Sequence, residues 1–243
     1  MFRTLLATCL LTATSAAQGR FPPDSLVNVQ VLPEDFTVQQ VMGQMRSYTG
    51  ALGVRCQYCH VGEEGRDLAT FDFVSDDKRP KRVAREMIRM VQLINRRLDS
   101  LPGREANGLQ VNCMTCHRGV TRPIPLSTLI ADVARNNGID SALTTYRALR
   151  ERHFGGAAYD FREGSLNTAA TNLGQSMRFD EALALLAFNE TMYPTSAVIA
   201  VFRGNLLVAK GDTGAGEAAY REALRRDPNN GDARNRLRAI GRP

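Results

Sequence analysis

Cys56-Gln57-Tyr58-Cys59-His60 and Cys113-Met114-Thr115-Cys116-His117 are two copies of one pentapeptide pattern, in a chain of 243 residues with only five cysteines and three histidines. Cys-x-x-Cys-His is the attachment sequence of c-type haem. Two thiols three residues apart add to the vinyl groups on one edge of the macrocycle, and the adjacent imidazole then lies under the iron as its proximal ligand. The pattern predicts two covalently bound haem c groups. Cys56 and Cys59 would hold one and Cys113 and Cys116 the other, with His60 and His117 on the irons. Other uses of paired cysteines fit less well. A disulfide framework leaves both histidines unexplained, and a zinc site of two such pairs wants them roughly 15–20 residues apart, far closer than these. A thioredoxin-like redox pair needs a βαβ setting, which the surrounding sequence does not offer.

The start of the chain agrees with this chemistry. Met1-Phe2-Arg3 supplies a positive start, Thr4 to Thr14 a short apolar run, and Ser15-Ala16-Ala17 a small-residue cleavage site. Together they read as a signal peptide over residues 1–17, so the mature protein is expected outside the cytoplasm, in the periplasm or peripheral to its membrane. The fifth cysteine, Cys9, leaves with that segment. Leu6-Ala7-Thr8-Cys9 is a poor lipoprotein signal, and the apolar run is too short to span a bilayer, so no transmembrane anchor is expected in the mature chain. The formal net charge of +6 is largely offset by roughly two propionates per macrocycle. No basic run with interleaved aromatics supports nucleic-acid binding.

Each motif follows an amphipathic stretch. Val41, Met42, Met45 and Tyr48 recur at helical spacing between about Phe36 and Thr49, and Gly50 and Gly53 are expected to stop that helix. Val83, Met87, Met90, Val91 and Ile94 form a second stripe, on a helix opening near Pro80. A thioether opposite the imidazole completes a six-coordinate iron. Met42 or Met45, and Met87 or Met90, are the candidates, one per helix, the other packing against a haem edge. Ligation by two histidines at both sites is impossible with three histidines, and His153 reads as a surface or linker residue.

Asn28-Val-Gln-Val-Leu32, the helix with Met45, Lys81-Arg-Val-Ala-Arg85-Glu-Met87-Ile-Arg-Met90, Ile94-Asn95 and Thr115-Cys116-His117-Arg118-Gly119 go beyond haem attachment. Over residues 28–125 the chain resembles the cytochrome c subunit of photosynthetic reaction centres. That resemblance implies Met45 and Met87 as the sixth ligands, each upstream of its own motif. Such subunits typically carry four haems, one with a second His ligand, whereas this chain has two motifs and no spare histidine in that half. The resemblance thus implies a dihaem unit that transfers electrons rather than an enzyme. Its partners would be redox proteins, in a membrane-bound reaction centre or a respiratory complex. Arg118, next to His117 in sequence, reads equally as a propionate partner and as a surface residue.

Beyond Pro125 the pattern is helix after helix. Tyr193-Pro194 and Asp227-Pro228 lie one 34-residue period apart, the period of a tetratricopeptide repeat. Gly204, Tyr220 and Ala223 match the small and aromatic positions of such a repeat. Ala182 and Leu186 match a preceding one, where Asn189 takes a place usually held by a small residue. Ala142 and Tyr146 mark an earlier, degenerate pair. The expectation is an all-α protein: a haem-organised helical c-type cytochrome domain over 18–125, then a tetratricopeptide-like helical repeat domain over 126–243. Two other functions stay open: a haem-based sensor or small redox enzyme with an open iron site, and a repeat scaffold within a respiratory complex.

Overall fold

The computed structural model describes residues 20–105 and 107–242; the expected signal peptide and Cys9 lie outside them. Among the described residues the fold is all-α. There are ten α-helices and no strand, and an isolated antiparallel bridge joins Val61 to Asp72. The chain divides into two compact units, one up to Cys116 and one from His117. Among the described residues, no helix is long and apolar enough to cross a membrane.

In the first unit, α1 spans Val38–Leu52 and α2 spans Arg79–Asp99. The start of α1 is written in Thr37 and Gln40. The Gln40 N–H donates to Thr37 Oγ1 at 3.3 Å and the Thr37 N–H donates to Gln40 Oε1 at 2.8 Å, a reciprocal cap. Of the two glycines expected to stop this helix, Gly50 lies inside it and Gly53 alone ends it, its N–H bonded to the Thr49 carbonyl. A glycine without its own terminating turn merely weakens a helix.

Helix α2 is inside out. Its buried side chains are Lys81 and Arg85, while Val83, Met87, Met90 and Leu93 are exposed. Lys81 Nζ donates to the carbonyls of Phe73, Val74 and Ser75 at 2.8, 3.1 and 2.7 Å. Asp76 receives Arg85 at 2.7 Å and Lys81 at 3.1 Å, and Asn28 bonds both Asp76 Oδ1 and the Val74 carbonyl. Asn28, Lys81 and Arg85 therefore tie one polar knot around loop 73–76. The apolar core of this unit is thin: Val41 and Ala51 are its buried hydrophobic residues.

The second unit is built the usual way. Helices α4 (Leu126–Asn137) and α5 (Ile139–His153), α6 (Glu163–Gln175) and α7 (Phe179–Met192), and α8 (Ala197–Lys210) and α9 (Thr213–Arg226) form three hairpins, with α10 (Gly231–Ala239) against the last. The first helices of successive hairpins also pack on one another. Ile130, Tyr146, Leu166, Leu173, Leu185, Leu186 and Ile199 make the main core, and Tyr220, Ala223 and Leu237 centre a second cluster. Each large apolar side chain so buried contributes about 1.5–3 kcal/mol.

Positions one period apart are equivalent. Ala182 and Gly216, Leu186 and Tyr220, and Asn189 and Ala223 are all buried. Gly204 leaves room for the Tyr220 ring, since a Cβ there would lie 2.4 Å from Tyr220 Cε1. Asn189, too large for its place by the repeat pattern, is accommodated by bonding. Its amide donates to the Glu163 carbonyl and to Asn167 Oδ1, both at 2.9 Å. The first hairpin falls out of period because the connection Phe154–Arg162 is longer than Tyr193–Ser196.

Candidate functional site

Beyond Gly53 the chain turns through Val54, whose N–H also reaches the Thr49 carbonyl at 3.1 Å. Cys56–Tyr58 then form one turn of 3-10 helix. Both the Cys59 and His60 N–H groups bond the Cys56 carbonyl, at 3.2 and 2.9 Å, so the two thiols and the imidazole ride on a single turn. Lys78, just ahead of α2, donates to the Gln57 carbonyl inside the motif. Burial pushes the Cys59 thiol up, against the pull of Lys78 and Lys81. Beside this turn opens a cleft of about 370 Å³, lined by Thr49, Val54, Cys56, Leu68 and Phe71, with Arg55 and Arg66 at its side.

His60 is half-buried, its ring edge-on to Phe73 with centroids 4.9 Å apart. Burial, and then the charge of Lys81, lower its pKa to about 4; Arg85 and Lys78 act in the same sense, and the Phe73 carbonyl works against them. Its buried Nδ1 has no hydrogen bond of normal geometry.

The second motif is presented differently. Asn95 on α2 clamps the approach: its Nδ2 donates to the Val111 carbonyl and its Oδ1 accepts the Val111 N–H, both at 2.8 Å. Asn112 caps the next turn, accepting the Thr115 N–H at 3.1 Å, while the Asn112 N–H donates to Thr115 Oγ1 at the same distance. The resulting helix, α3 (Cys113–His117), carries both thiols and the imidazole. Burial pushes the Cys113 thiol up. The chain then reverses through Arg118 (φ 50°) and Gly119 (φ 90°), the second a value that suits glycine alone. That reversal brings the Val120 carbonyl back to His117 Nδ1 at 2.9 Å. A carbonyl only accepts, so Nδ1 carries the proton and Nε2 keeps its lone pair for a metal.

The four described cysteines form no disulfide with one another. Among the described residues no three His, Cys, Asp or Glu side chains gather on one point, so the two Cys pairs do not build a zinc site. The residues do suit haem. His117 is fixed in the ligating tautomer, and α2 carries an exposed apolar stripe. Helices α1, α2 and α3 do not pack closely on one another among the described residues, as α4 to α10 do, so their apolar faces are open to a flat apolar body. Met42 and Met45 are half-buried on α1; on α2, Met87 is 37% and Met90 44% exposed. Arg118 is exposed and His153, the last residue of α5, lies edge-on to Tyr159.

Lys78, Lys81, Phe73 and Asp76 were not singled out as site residues by motif reading. Their role shows only when loop and helix meet in space. Asp76 is held well below the usual carboxylate range, first by the hydrogen bond from Arg85 and then by those from Asn28 and Lys81. A depressed carboxyl stabilises the fold above the unfolded aspartate pKa of about 4 and loses that contribution as pH falls towards the native value. Protection of the amides in loop 73–76, measured against the intrinsic exchange rate at each pH, is therefore expected to fall below about pH 4. In Asp76→Asn, protection should be low at neutral pH as well and should lack that acid step.

Residues 9–158, more than half of the chain, match the photosynthetic reaction centre cytochrome C subunit family. The chain is 40% identical over 93 residues to a cytochrome c-554 of Chloroflexus aurantiacus, covering 37% of this chain and 20% of that protein. It is 42% identical over 98 residues to a photosynthetic reaction center cytochrome c subunit of Roseobacter denitrificans, covering 40% of this chain and 24% of that one. The chain thus spans a quarter or less of the length of these relatives. Attachment motifs, a metal-ready imidazole and the family match converge: the chain belongs to the photosynthetic reaction centre cytochrome C subunit family and is a c-type cytochrome of covalently bound haem.

Proposed function

We propose that the mature chain is an exported dihaem c-type cytochrome carrying single electrons between redox protein partners, in a reaction centre or a respiratory complex. Residues 18–125 form its haem domain and residues 126–243 a tetratricopeptide-like repeat domain that mediates docking. The observation that carries the reading is the His117 ring at the end of an attachment motif, whose Nδ1–H is engaged by the Val120 carbonyl so that Nε2 is left free to ligate. Bound haem supplies a one-electron couple that changes little in geometry on reduction when six-coordinate. The chain's own residues do the rest. Cys56, Cys59, Cys113 and Cys116 anchor the macrocycles, His60 and His117 give the proximal nitrogens, and Met45 and Met87 give the thioethers. The 34-residue equivalence of buried positions in α7 and α9 supports the repeat reading.

The test is the reduced absorption spectrum of protein matured in a haem-attaching periplasm, with and without carbon monoxide, together with the covalent haem count by mass. Two haems and a spectrum unmoved by the gas are expected. A clear shift with the gas would mean an open iron and favour a sensor or redox enzyme. Met45→Leu and Met87→Leu should each lower one potential and open one iron to carbon monoxide; unchanged spectra in both would remove the methionines as ligands.

A further inference from the structure

The two attachment sequences are alike, and the surroundings of their histidines are not. His117 Nδ1–H donates to the Val120 carbonyl at 2.9 Å. His60 Nδ1 is buried without a hydrogen bond, although the Phe73 carbonyl faces the ring. That carbonyl already accepts from Lys81 Nζ at 2.8 Å, which weakens it as an acceptor for the ring; Lys81 also holds the Val74 and Ser75 carbonyls. Lys81 and Arg85 share the single carboxylate of Asp76, so their cluster keeps a net positive charge. Lys78 adds another at the Gln57 carbonyl.

These differences act on a bound iron in one direction. An imidazole whose second N–H donates to a carbonyl is the more basic ligand and favours the oxidised metal. A ring denied that bond is the weaker donor, and nearby cations disfavour the extra positive charge of the oxidised state. With the same His and Met donors at each site, the second shell decides the order.

Resting on the reading that haem is attached at both motifs, we propose that Lys81 is a positioning residue that makes the His60 site the higher-potential of the two. It does so by competing with His60 for the Phe73 carbonyl and by placing its charge beside the ring. A single electron shared by the two sites then rests at the first.

Redox titration of the holoprotein tests this, with each step assigned from two single-haem proteins, Cys56→Ser/Cys59→Ser and Cys113→Ser/Cys116→Ser. The protein retaining Cys56 and Cys59 should titrate at the higher potential; equal or reversed potentials would overturn the proposal. Lys81→Met should lower the potential at the first site, leave the second in place, and move the His60 Nδ1–H proton resonance downfield as the Phe73 carbonyl becomes free. Lys81→Arg, which keeps the charge, should restore most of the potential. A purely structural lysine would leave the first-site potential unmoved in haem-loaded Lys81→Met, which would also overturn the proposal. If Lys81→Met fails to load haem, the single-haem comparison in the wild-type background still decides. A wild type with fewer than two covalent haems would overturn the dihaem reading and this proposal with it, whereas two haems in the wrong order would overturn this proposal alone.

Discussion

Replacing Cys56, Cys59, Cys113 and Cys116 together by alanine is expected to abolish covalent haem and, with it, most of the order of the first unit. That unit buries Val41 and Ala51 as its hydrophobic core. At about 25 cal/mol per Å² of apolar surface, two small side chains contribute far less than the conformational entropy of ordering such a length of chain, about 1–2 kcal/mol per residue for the backbone alone. The polar knot of Asn28, Asp76, Lys81 and Arg85 arranges a loop but supplies little net stability, because charge–charge and hydrogen-bond gains are offset by desolvation. The macrocycles would bury the stripe of Val83, Met87 and Met90 that α2 otherwise turns to solvent. Circular dichroism of the quadruple variant should therefore lose the signal of α1 to α3, about a third of the helical residues, while α4 to α10 remain and melt separately. Full helicity in the variant would show that the first unit folds on polar contacts alone.

Tyr146→Ala should be the most damaging single truncation in the second unit. The side chain is 1% exposed and meets Phe161 and Phe188 edge-on, with ring centroids 5.7 and 5.5 Å away. Its hydroxyl receives Arg150 Nη1 at 3.4 Å, and burial pushes its pKa up. Removing the ring opens a cavity between α5 and α7, at a cost of about 3–5 kcal/mol. Tyr146→Phe keeps the packing and should cost only about 1 kcal/mol. Urea unfolding of the two variants separates these contributions. Similar losses in both would place the weight on the hydroxyl instead of the ring.

The two Cys-x-x-Cys-His motifs and the period of the second half were legible because each is a fixed spacing along the chain. Cys-x-x-Cys-His needs no tertiary information, and the 34-residue recurrence of Ala182 with Gly216 and Leu186 with Tyr220 follows from one helix hairpin succeeding another. Sequence periodicity also found the apolar stripe of α2. It could not show that the opposite, basic face is the one buried, because Lys81 and Arg85 gain their partners from loop 73–76 and from Asn28, which are remote or irregular in sequence. Gly50 misled for a related reason, since a glycine ends a helix only when the residues after it build the turn, as Gly53 and Val54 do. The capping pair Asn112 and Thr115 lay in plain view and would have marked the start of α3.

Helix α2 grips the loop beside the first motif through Lys81 and the approach to the second through Asn95. The two grips are about 21 Å apart along a rod that rises 1.5 Å per residue. A rod of that kind acts as a ruler. Loops on either side can fluctuate or change in length over evolution, while the interval between the two anchoring points stays constant. Any process whose rate falls steeply with separation, as electron tunnelling does, would then depend on the stiffness of one helix and little on the connections around it.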